Sequence, residues 1–284
     1  MNTSLFYKRR KFWKRFLLFV FALPIFSAGV SVGIVYIKQD EIVQTLISTL
    51  NNDFKGKIEV EDSHITPFDN FPYISVDLEN VRIYESKNDS SSMIADIKEV
   101  FLGFDVSTII RGNLNINDIK LKNGAIDLIQ HIDGSLNIEN ALSTEDDAEE
   151  IEDVNDEFHL AIHEIELENI DIHKLNEENN IIFDALVYEA DARFTTSPEH
   201  IFVFLDSKFE LNLIENGDTT FIKHKHFELH TKLDYLTEKE VLSLQRTKIQ
   251  LENSEFEMEG SVDFKDDVNL DLEIKGNKEN YDLI

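Results

Sequence analysis

Hydrophobic and polar positions follow three different patterns along the chain. Residues 16–37 form an uncharged apolar run, and residues 39–54 place their large apolar side chains at helical spacing. From Lys57 onward, apolar and polar residues alternate along most of the sequence. We therefore predict an apolar helix, an amphipathic helix and a long series of strands that have one apolar face and one polar face.

The apolar run at residues 16–37 predicts a transmembrane helix. Its 22 residues rise about 1.5 Å each and so match the ~30 Å hydrocarbon core of a bilayer. The preceding tail, residues 1–15, is basic, and residues 1–37 contain no acid, which keeps the tail in the cytoplasm. The charges that determine this topology are Lys8, Arg9, Arg10, Lys11, Lys14 and Arg15. A cleaved signal peptide is the alternative, and the length of the run disfavours it.

The amphipathic segment follows the predicted anchor directly, and we assign it to residues 38–56. Its apolar residues are Ile42, Val43, Leu46, Ile47, Leu50 and Phe54. Gly56 is the predicted stop of the helix. Two placements remain open, because the helix can lie on the bilayer or cover the sheet that follows. The second placement is favoured.

A short motif recurs within the alternating region. It reads LENVRI at 78–83, LKNGAI at 121–126, LENIDI at 167–172 and LENSEF at 251–256. The leucines are 43, 46 and 84 residues apart, which indicates a repeating unit of roughly 42 residues. The Asn216-Gly217 pair separately predicts a two-residue β-hairpin.

The alternation changes phase at copies of this motif. In the third copy, odd positions are apolar up to Leu167, and even positions are apolar from Ile170 onward. An extra bulge residue would keep both sets on one face, and asparagine tolerates the left-handed conformation that some bulges need. The predicted bend residues are Asn80, Asn123, Asn169 and Asn253. The alternative is that the motif marks ordinary strand ends that are followed by turns.

If the strands bend in this way, one face of the sheet is apolar throughout. The residues predicted to line that face are Ile74, Val76, Leu78, Val81, Ile83, Ile119, Leu121, Ile126, Leu128, Ile165, Leu167, Ile170 and Ile172. A one-sided sheet must cover its apolar face. It can close on itself, pack on a second sheet or leave a groove for an apolar ligand.

Residues 143–157 interrupt the alternation with nine acids and no base. Such a run repels itself and buries no apolar surface, so we predict a flexible linker. It lacks the spaced ligands and central glycine of a calcium loop, which disfavours a calcium site. We therefore expect a first β section at 57–142 and a second at 158–284.

Composition and motifs exclude several classes of function. The formal net charge is −29 and no basic patch follows the tail, so we expect no nucleic-acid partner. The chain has no cysteine and therefore no disulfide or thiolate metal site. Phosphate-binding loops, nucleophile elbows and metalloprotease motifs are missing, and we expect no enzymatic activity and no cofactor.

One histidine-rich strand leaves a metal site open as an alternative. His224, His226, Glu228 and His230 share one strand parity, opposite to the apolar Phe227. Imidazoles at this spacing can bind zinc. A solvated strand face is favoured.

In their order, these features resemble the N-terminal region of AsmA-like proteins, a family that includes TamB and is similar to bridge-like lipid transfer proteins. The matching segments are the anchor, LNNDFKGKIEVEDSHITPF, SVDLENVRIYES, ADIKEVFLGFDVSTIIRGNLNINDIKLKNGAIDLI, HIDGSLNIENAL, HEIELENIDIHKL and IQLENSEFEMEGSVDF. They cover essentially residues 5–275. The acidic linker departs from the Pro/Ala-rich break expected of the family.

The resemblance implies a single-pass inner-membrane protein of Gram-negative bacteria whose bulk lies in the periplasm. It implies a mainly β fold in which a long antiparallel sheet curls into an apolar groove and carries phospholipid acyl chains. It also implies an envelope or outer-membrane protein as a partner, and no catalytic residues. The alternative function is an anchored β scaffold that assembles envelope proteins without carrying lipid.

The last predicted strand, at residues 269–274, has no closing helix or charged cap after it. Natural sheets usually protect such an edge. We therefore expect the sheet either to continue beyond this sequence or to pair its last strand with another subunit.

Overall fold

A computed structural model of the chain describes residues 43–45, 47–48, 51–52, 54–66, 73–87, 89–105, 114–143, 158–215, 217–220, 222–265 and 268–278. The predicted anchor and nearly all of the acidic linker lie outside these residues. Within them, no helix has the length and hydropathy needed to cross a bilayer.

Alternating sequence becomes long strands. The strands are β1 (Lys57–Glu59), β2 (Asp62–Thr66), β3 (Tyr73–Ser86), β4 (Asp89–Asp105), β5 (Leu114–Gln130), β6 (Phe158–Asn176), β7 (Ile181–Thr196), β8 (His200–Glu215), β9 (Asp218–Thr219), β10 (Lys225–Leu236), β11 (Val241–Leu251), β12 (Ser254–Asp263) and β13 (Asn269–Lys278). One short helix, α1 (Asn137–Leu142), follows β5. The prediction of a mainly β protein is confirmed.

The strands that the structure describes belong to one open sheet. Its order is β1-β3-β4-β5-β6-β7-β8-β10-β11-β12-β13, while β2 pairs with β3 and β9 pairs with β8. The β8–β9 pair is a hairpin in which Glu215 faces Asp218, so the turn predicted at Asn216-Gly217 is confirmed. Both predicted β sections are therefore parts of the same sheet.

One strand pair departs from the predicted antiparallel arrangement. Strands β5 and β6 run parallel, and Leu121 lies beside Leu167. Parallel neighbours need a crossover of a dozen residues or more. Residues 131–157, which include α1 and the acidic run, provide that length. The sheet is consequently antiparallel on both sides of a single parallel seam.

The phase changes of the sequence lie in one row across the sheet. Asn80, Asn123 and Asn169 are inside β3, β5 and β6 and have φ values of 50°, 56° and 54°. The register of the strands aligns them with Lys98 of β4 and Tyr188 of β7. Apolar positions change parity at this row, so each strand keeps one apolar face.

This common row explains why neighbouring strands keep their register across it. Glu79 faces Glu99 and Val81 faces Ile97, so Asn80 is matched by an extra residue of β4. The row ends at β8, where no extra residue exists. Tyr188 is therefore a true bulge, and the register shifts between Val187 and Glu189.

The prediction of a bend at Asn253 is wrong. Glu252 and Asn253 form the turn between β11 and β12, where Leu251 faces Ser254. In this copy the motif marks a strand end, as the alternative interpretation proposed. The bend of β11 lies instead at Arg246, which has a φ of 33° and accompanies a register shift between Leu244 and Thr247.

The core lies at the N-terminal end of the sheet. Val76, Phe104 and Ile170 are fully buried on the apolar face. Residues 43–45, 47–48 and 51–52 are helical, and Val43 joins the core with an exposed fraction of 4%. The described part of the amphipathic helix therefore packs on the sheet through Val43 and Ile47, as the favoured interpretation states. It ends before Phe54, which already lies in a β-bridge.

Helix α1 closes one end of this part of the sheet. The backbone N–H of Gly56 donates to the carbonyl of Ala141 at 2.9 Å. A side chain at Gly56 would meet the Ala141 Cβ at 2.9 Å and the Tyr84 carbonyl at 2.8 Å. The Asn137 side chain bonds the backbone of β5 at both Asp127 and Ile129. Gly56 thus lies in close contact with both α1 and β3.

Candidate functional site

The candidate site is the apolar face of the sheet, which the strand register makes continuous from β3 to β13. One row runs from Ile170 through Val187, Phe209 and Phe227 to Leu251. Side chains in such a row stand on the same face because alternate residues of each strand point to the same side. Because the strands change phase at the asparagine row, the same face is apolar before and after that row.

The predicted lining residues do come together on this face. Val76, Leu78, Val81 and Ile170 are buried in the core, and six others pack against it. Those six are Ile83, Ile119, Leu121, Ile126, Leu167 and Ile172. Leu128 and Ile165 are partly exposed, and the Ile74 side chain lies outside the described residues. The buried members of this set are already covered by the protein itself.

Coverage decreases along the sheet. From β7 onward the apolar side chains are mostly half-buried, and Phe183 is 41% exposed. Phe209 and Phe227 stack with their ring centroids 5.2 Å apart and remain half-buried. At β13, Leu270 and Ile274 are 66% and 61% exposed. The accessible part of the apolar face therefore lies on β7 to β13.

The lining residues that we predicted from the sequence do not include this accessible part of the face. Its members are taken mostly from β3, β5 and β6, which are the strands that carry the repeated motif. Leu270, Leu272 and Ile274 show the same alternation in the sequence. Alternation of apolar and polar residues therefore identifies the apolar face, but it does not show which part of that face the rest of the protein covers.

Four small hydroxyl residues interrupt the apolar face. Ser207, Thr231, Thr247 and Ser254 are each less than 9% exposed. The Thr231 and Thr247 hydroxyls bond each other at 2.5 Å across β10 and β11. A hydrogen bond between them offsets the cost of placing two hydroxyls among apolar side chains.

The opposite face is polar and acidic. Six of its histidines pair with carboxylates, as in His64–Asp77, His173–Asp184, His200–Asp234, His224–Glu210, His226–Glu252 and His230–Asp206. His131, in the loop after β5, pairs with Glu85. Lysines do the same, and Lys120 Nζ lies 2.6 Å from Glu166 Oε2. Charged and polar side chains predominate on this face, although Phe202 and Phe204 are also exposed there, beside His200 and Lys232.

The zinc alternative places its histidines on this outer face. His224 Nδ1 lies 2.5 Å from Glu210 Oε1, and His226 contacts Glu210 and Glu252. The hydrogen bond from His224 holds the pKa of Glu210 below its ordinary value. In the described parts of the chain, no group of three or more metal-ligating side chains has the arrangement for a metal ion.

The predicted bend residues line a polar depression on the outer face. Asn80, Asn123 and Asn169 border it together with Arg82 and Asp96, and its volume is about 560 Å³. Arg82 Nε and Asp96 Oδ2 are 3.7 Å apart. The asparagines thus provide the positive φ that the strands need at this row, and their side chains remain on the solvated face.

Comparisons of this chain with protein-family models, curated proteins and solved structures find no significant match.

Proposed function

We propose that this chain is an inner-membrane-anchored periplasmic protein that binds phospholipid acyl chains on its apolar sheet face and takes part in phospholipid transfer during outer-membrane biogenesis. The observation that carries the proposal is the accessible apolar face on β7 to β13. Half-buried Phe209 and Phe227, and exposed Leu270 and Ile274, lie on this face, which is apolar except for the four small hydroxyl residues. Apolar patches of this kind mark interaction or ligand sites.

An acyl chain suits the dimensions of this face. Six strands from β7 to β13 follow one another in the sheet, and strands lie about 4.8 Å apart, so this part is roughly 24 Å wide. That is more than the ~15 Å hydrocarbon depth of one membrane leaflet. Covering the face with acyl chains would gain about 25 cal/mol for each Å² of apolar surface removed from water.

In this proposal, the apolar face binds the acyl chains and the charged face contacts water. The outer face is covered by carboxylates and their lysine and histidine partners, which keep the sheet soluble. An anionic headgroup gains nothing from so acidic a protein. The acyl chains therefore contribute the binding energy, and the headgroup stays at the rim of the sheet.

The predicted anchor at residues 16–37 has a specific role in this proposal. It leads into the helical residues 43–45, 47–48 and 51–52, and Val43 packs on the buried end of the apolar face. The membrane is the source of lipid, and the sheet offers a path along its apolar face from the covered end toward β13. An envelope or outer-membrane protein would receive the lipid at that end.

Site-specific photocrosslinking tests the proposal with adjacent residues of β10. A benzophenone amino acid at Leu229 faces the apolar side, and one at Glu228 faces the solvated side and serves as the matched control. In the full chain, expressed in a Gram-negative envelope, we expect lipid adducts at Leu229 and none at Glu228 by mass spectrometry. The same amino acid at Phe227, a second position on the apolar face, provides an independent test if the Leu229 variant does not fold.

Two outcomes would reject lipid binding. Folded Leu229 and Phe227 variants could give no lipid adduct, or the Glu228 control could crosslink lipid equally well. The second candidate, a scaffold without lipid, is favoured by the packed first part of the sheet, where Val76 is already fully buried. Protein adducts at Leu229 in place of lipid adducts would support that scaffold.

A further inference from the structure

Two lysines interrupt the apolar face close to one set of strand ends. Lys174 lies near the end of β6, and Lys225 is the first residue of β10. The register places Lys174 between Leu128 and Phe183, and it places Lys225 beside Leu211. These neighbours belong to the apolar face, so both lysines lie on that face and not among the carboxylates of the outer face.

Both lysines are free to bind an anion. Within the described residues, neither Lys174 nor Lys225 forms an ion pair. Glu252 is the acid whose charge interacts with Lys225, and its carboxylate already accepts a hydrogen bond from the backbone N–H of His226 at 2.8 Å. Both lysine side chains are half-buried. A lysine in such a position covers apolar surface with its methylene groups and keeps its ammonium group in water.

The two rims of the apolar face, which are formed by the two sets of strand ends, differ in charge. At the lysine rim, Glu215 lies on the same face one row beyond Lys174, opposite Ile181, and pairs with neither lysine. At the other rim, one row of paired residues from β7 to β13 carries no charge. Its members are Thr196, Ile201, Tyr235, Leu242, Val262 and Leu270. An anionic group therefore has cationic partners at the first rim and none in this row of the second.

We propose that Lys174 and Lys225 each bind the phosphate group of one phospholipid whose acyl chains lie on the apolar face. This inference rests on the proposed function and adds the recognition of the headgroup to it. The acidic outer face does not attract an anionic headgroup, whereas each ammonium group at this rim can donate charge-assisted hydrogen bonds to phosphate oxygens. Three strand spacings of about 4.8 Å separate β6 from β10. The two lysines are therefore too far apart to share one headgroup.

The length of an acyl chain fits the strand that begins at Lys225. Strands rise about 3.4 Å per residue, so Phe227 and Leu229 lie roughly 7 and 14 Å from Lys225 on the same face. One membrane leaflet has a hydrocarbon depth of ~15 Å. A phospholipid with its phosphate at Lys225 thus covers both residues with its acyl chains.

Lys174 lies at the border of the accessible part of the face. Phe183, which is beside it, is 41% exposed. A phospholipid with its phosphate at Lys174 therefore places its acyl chains over β7 and β8, beyond the covered end of the sheet.

Two lipids that differ only in the headgroup test the proposal. They are phosphatidylglycerol and diacylglycerol with identical acyl chains, one of which carries a photoreactive diazirine. The full chain in nonionic detergent is titrated with each lipid, and mass spectrometry measures the covalent adducts. We expect adducts of both lipids on β7 to β13, and half-saturation at a lower concentration for phosphatidylglycerol.

Substitution of the two lysines separates the phosphate from the acyl chains. The double variant Lys174→Gln, Lys225→Gln should bind phosphatidylglycerol about tenfold more weakly, because charged hydrogen bonds to the phosphate are lost. It should bind diacylglycerol like the wild type, which also shows that the variant is folded. The double variant Lys174→Arg, Lys225→Arg keeps both charges and should retain most of the affinity. The matched control Lys98→Gln, Lys248→Gln removes two exposed charges of the outer face and should bind both lipids normally.

The outcomes distinguish failure of the headgroup site from failure of the proposed function. Unchanged binding of phosphatidylglycerol by the Lys174→Gln, Lys225→Gln variant, or an equal loss in the matched control, would overturn the headgroup site and leave acyl-chain binding intact. An equal loss of both lipids in the lysine variant would also overturn it. If the wild type forms no adduct with either lipid, the proposed function is rejected together with this inference.

A competition experiment distinguishes a phospholipid headgroup from free phosphate. Inorganic phosphate is compared with sodium chloride at the same ionic strength, so that screening of charge is equal in both. We expect the two salts to have the same effect on phosphatidylglycerol binding. If inorganic phosphate alone weakened that binding as much as the glutamine substitutions do, the site would be one for free anions, and the proposal would be overturned.

Discussion

Three asparagines hold a backbone conformation that most residues avoid. Asn80, Asn123 and Asn169 have positive φ inside strands, where a residue with a Cβ in the left-handed region normally pays about 1–2 kcal/mol. Asparagine reduces this cost, and glycine removes it. Each of them lets its strand change phase and keep an apolar face, so a local conformation determines which side chains reach the core.

Substitution of Asn123 should reveal this requirement. We expect Asn123→Ala to lower the free energy of unfolding by about 1 kcal/mol, because the left-handed conformation is less favourable for alanine than for asparagine. Asn123→Gly should retain most of the wild-type stability. Urea denaturation of the three proteins measures the difference. Equal losses in the alanine and glycine variants would indicate that the side chain of Asn123, which reaches Glu99 at 3.3 Å, matters more than its backbone.

His131 should make stability depend on pH. Burial opposes its protonation, but hydrogen bonds to Glu177 and Glu85 outweigh burial and raise its pKa above the ordinary value. A raised pKa in the folded state stabilises the protein below the unfolded pKa of about 6.5, and this stabilisation disappears as the pH rises through the folded pKa. The denaturation midpoint of His131→Ala should therefore fall below that of the wild type at pH 5.5 to 6, and the gap should narrow at pH 8. A gap that widens toward pH 8 would contradict this assignment.

At the scale of elements, α1 and the strand that follows the amphipathic segment close one end of the sheet. Their contact depends on Gly56, where a Cβ would lie within 3.0 Å of Ala141 and of the Tyr84 carbonyl. Because two of these atoms belong to the backbone, they cannot move aside cheaply. The close approach is therefore specific to glycine.

We expect Gly56→Val to destabilise this end by about 1–3 kcal/mol, as overpacking of a tight contact usually does. Limited proteolysis should cut near α1 more rapidly in the variant. The exposed Gly134, whose Cβ would meet nothing within 4 Å, is a control for loss of a glycine without a clash, although its positive φ adds backbone strain. Unchanged cleavage near α1 in Gly56→Val would show that this end tolerates the added side chain.

The elements show which features the sequence predicts and which it leaves open. Alternation predicted the strands, and the phase changes at Asn80, Asn123 and Asn169 coincide with positive φ. At Asn253 the same pattern fails for a geometric reason. A two-residue turn places Leu251 and Ser254 opposite each other, so it inverts parity just as a bend does.

The alternation of apolar and polar residues predicts neither the relative direction of neighbouring strands nor how far the apolar face is covered. The parallel pairing of β5 and β6 depends on the path of residues 131–157, and the apolar pattern of either strand is the same in both directions. Lys98 and Tyr188 belong to the asparagine row but are neither asparagine nor glycine, so the sequence did not mark them. For the candidate site, alternation indicated an apolar face, but packing of residues such as Val43 decides which part of it is covered.

Across the whole molecule, burial decreases from one end of the sheet to the other. The fully buried apolar residues lie on β3, β4 and β6, and β13 has exposed side chains on both faces. Regions with few buried apolar contacts open more easily than a packed core. Stability should therefore vary along the sheet.

Hydrogen exchange should show this gradient directly. We expect the slowest exchange in β3 and β4 and the fastest in β12 and β13, because the apolar side chains of β13 are exposed, with Leu270 at 66% and Ile274 at 61%. If acyl chains cover the accessible face, phospholipid micelles should slow exchange in β8 to β12 and leave β3 and β4 unchanged, relative to a detergent control. Uniform exchange across the strands would contradict the gradient.

The parallel seam between β5 and β6 has an evolutionary consequence. Two copies of the repeated motif lie there side by side, with Leu121 beside Leu167 and Ile126 beside Ile172. A parallel contact lets equivalent residues of two tandem copies become neighbours, so an ancestral segment that was duplicated at this point would already fit its copy. A protein built in this way can grow in length by gene duplication, because each added unit finds a complementary partner in the unit from which it was copied.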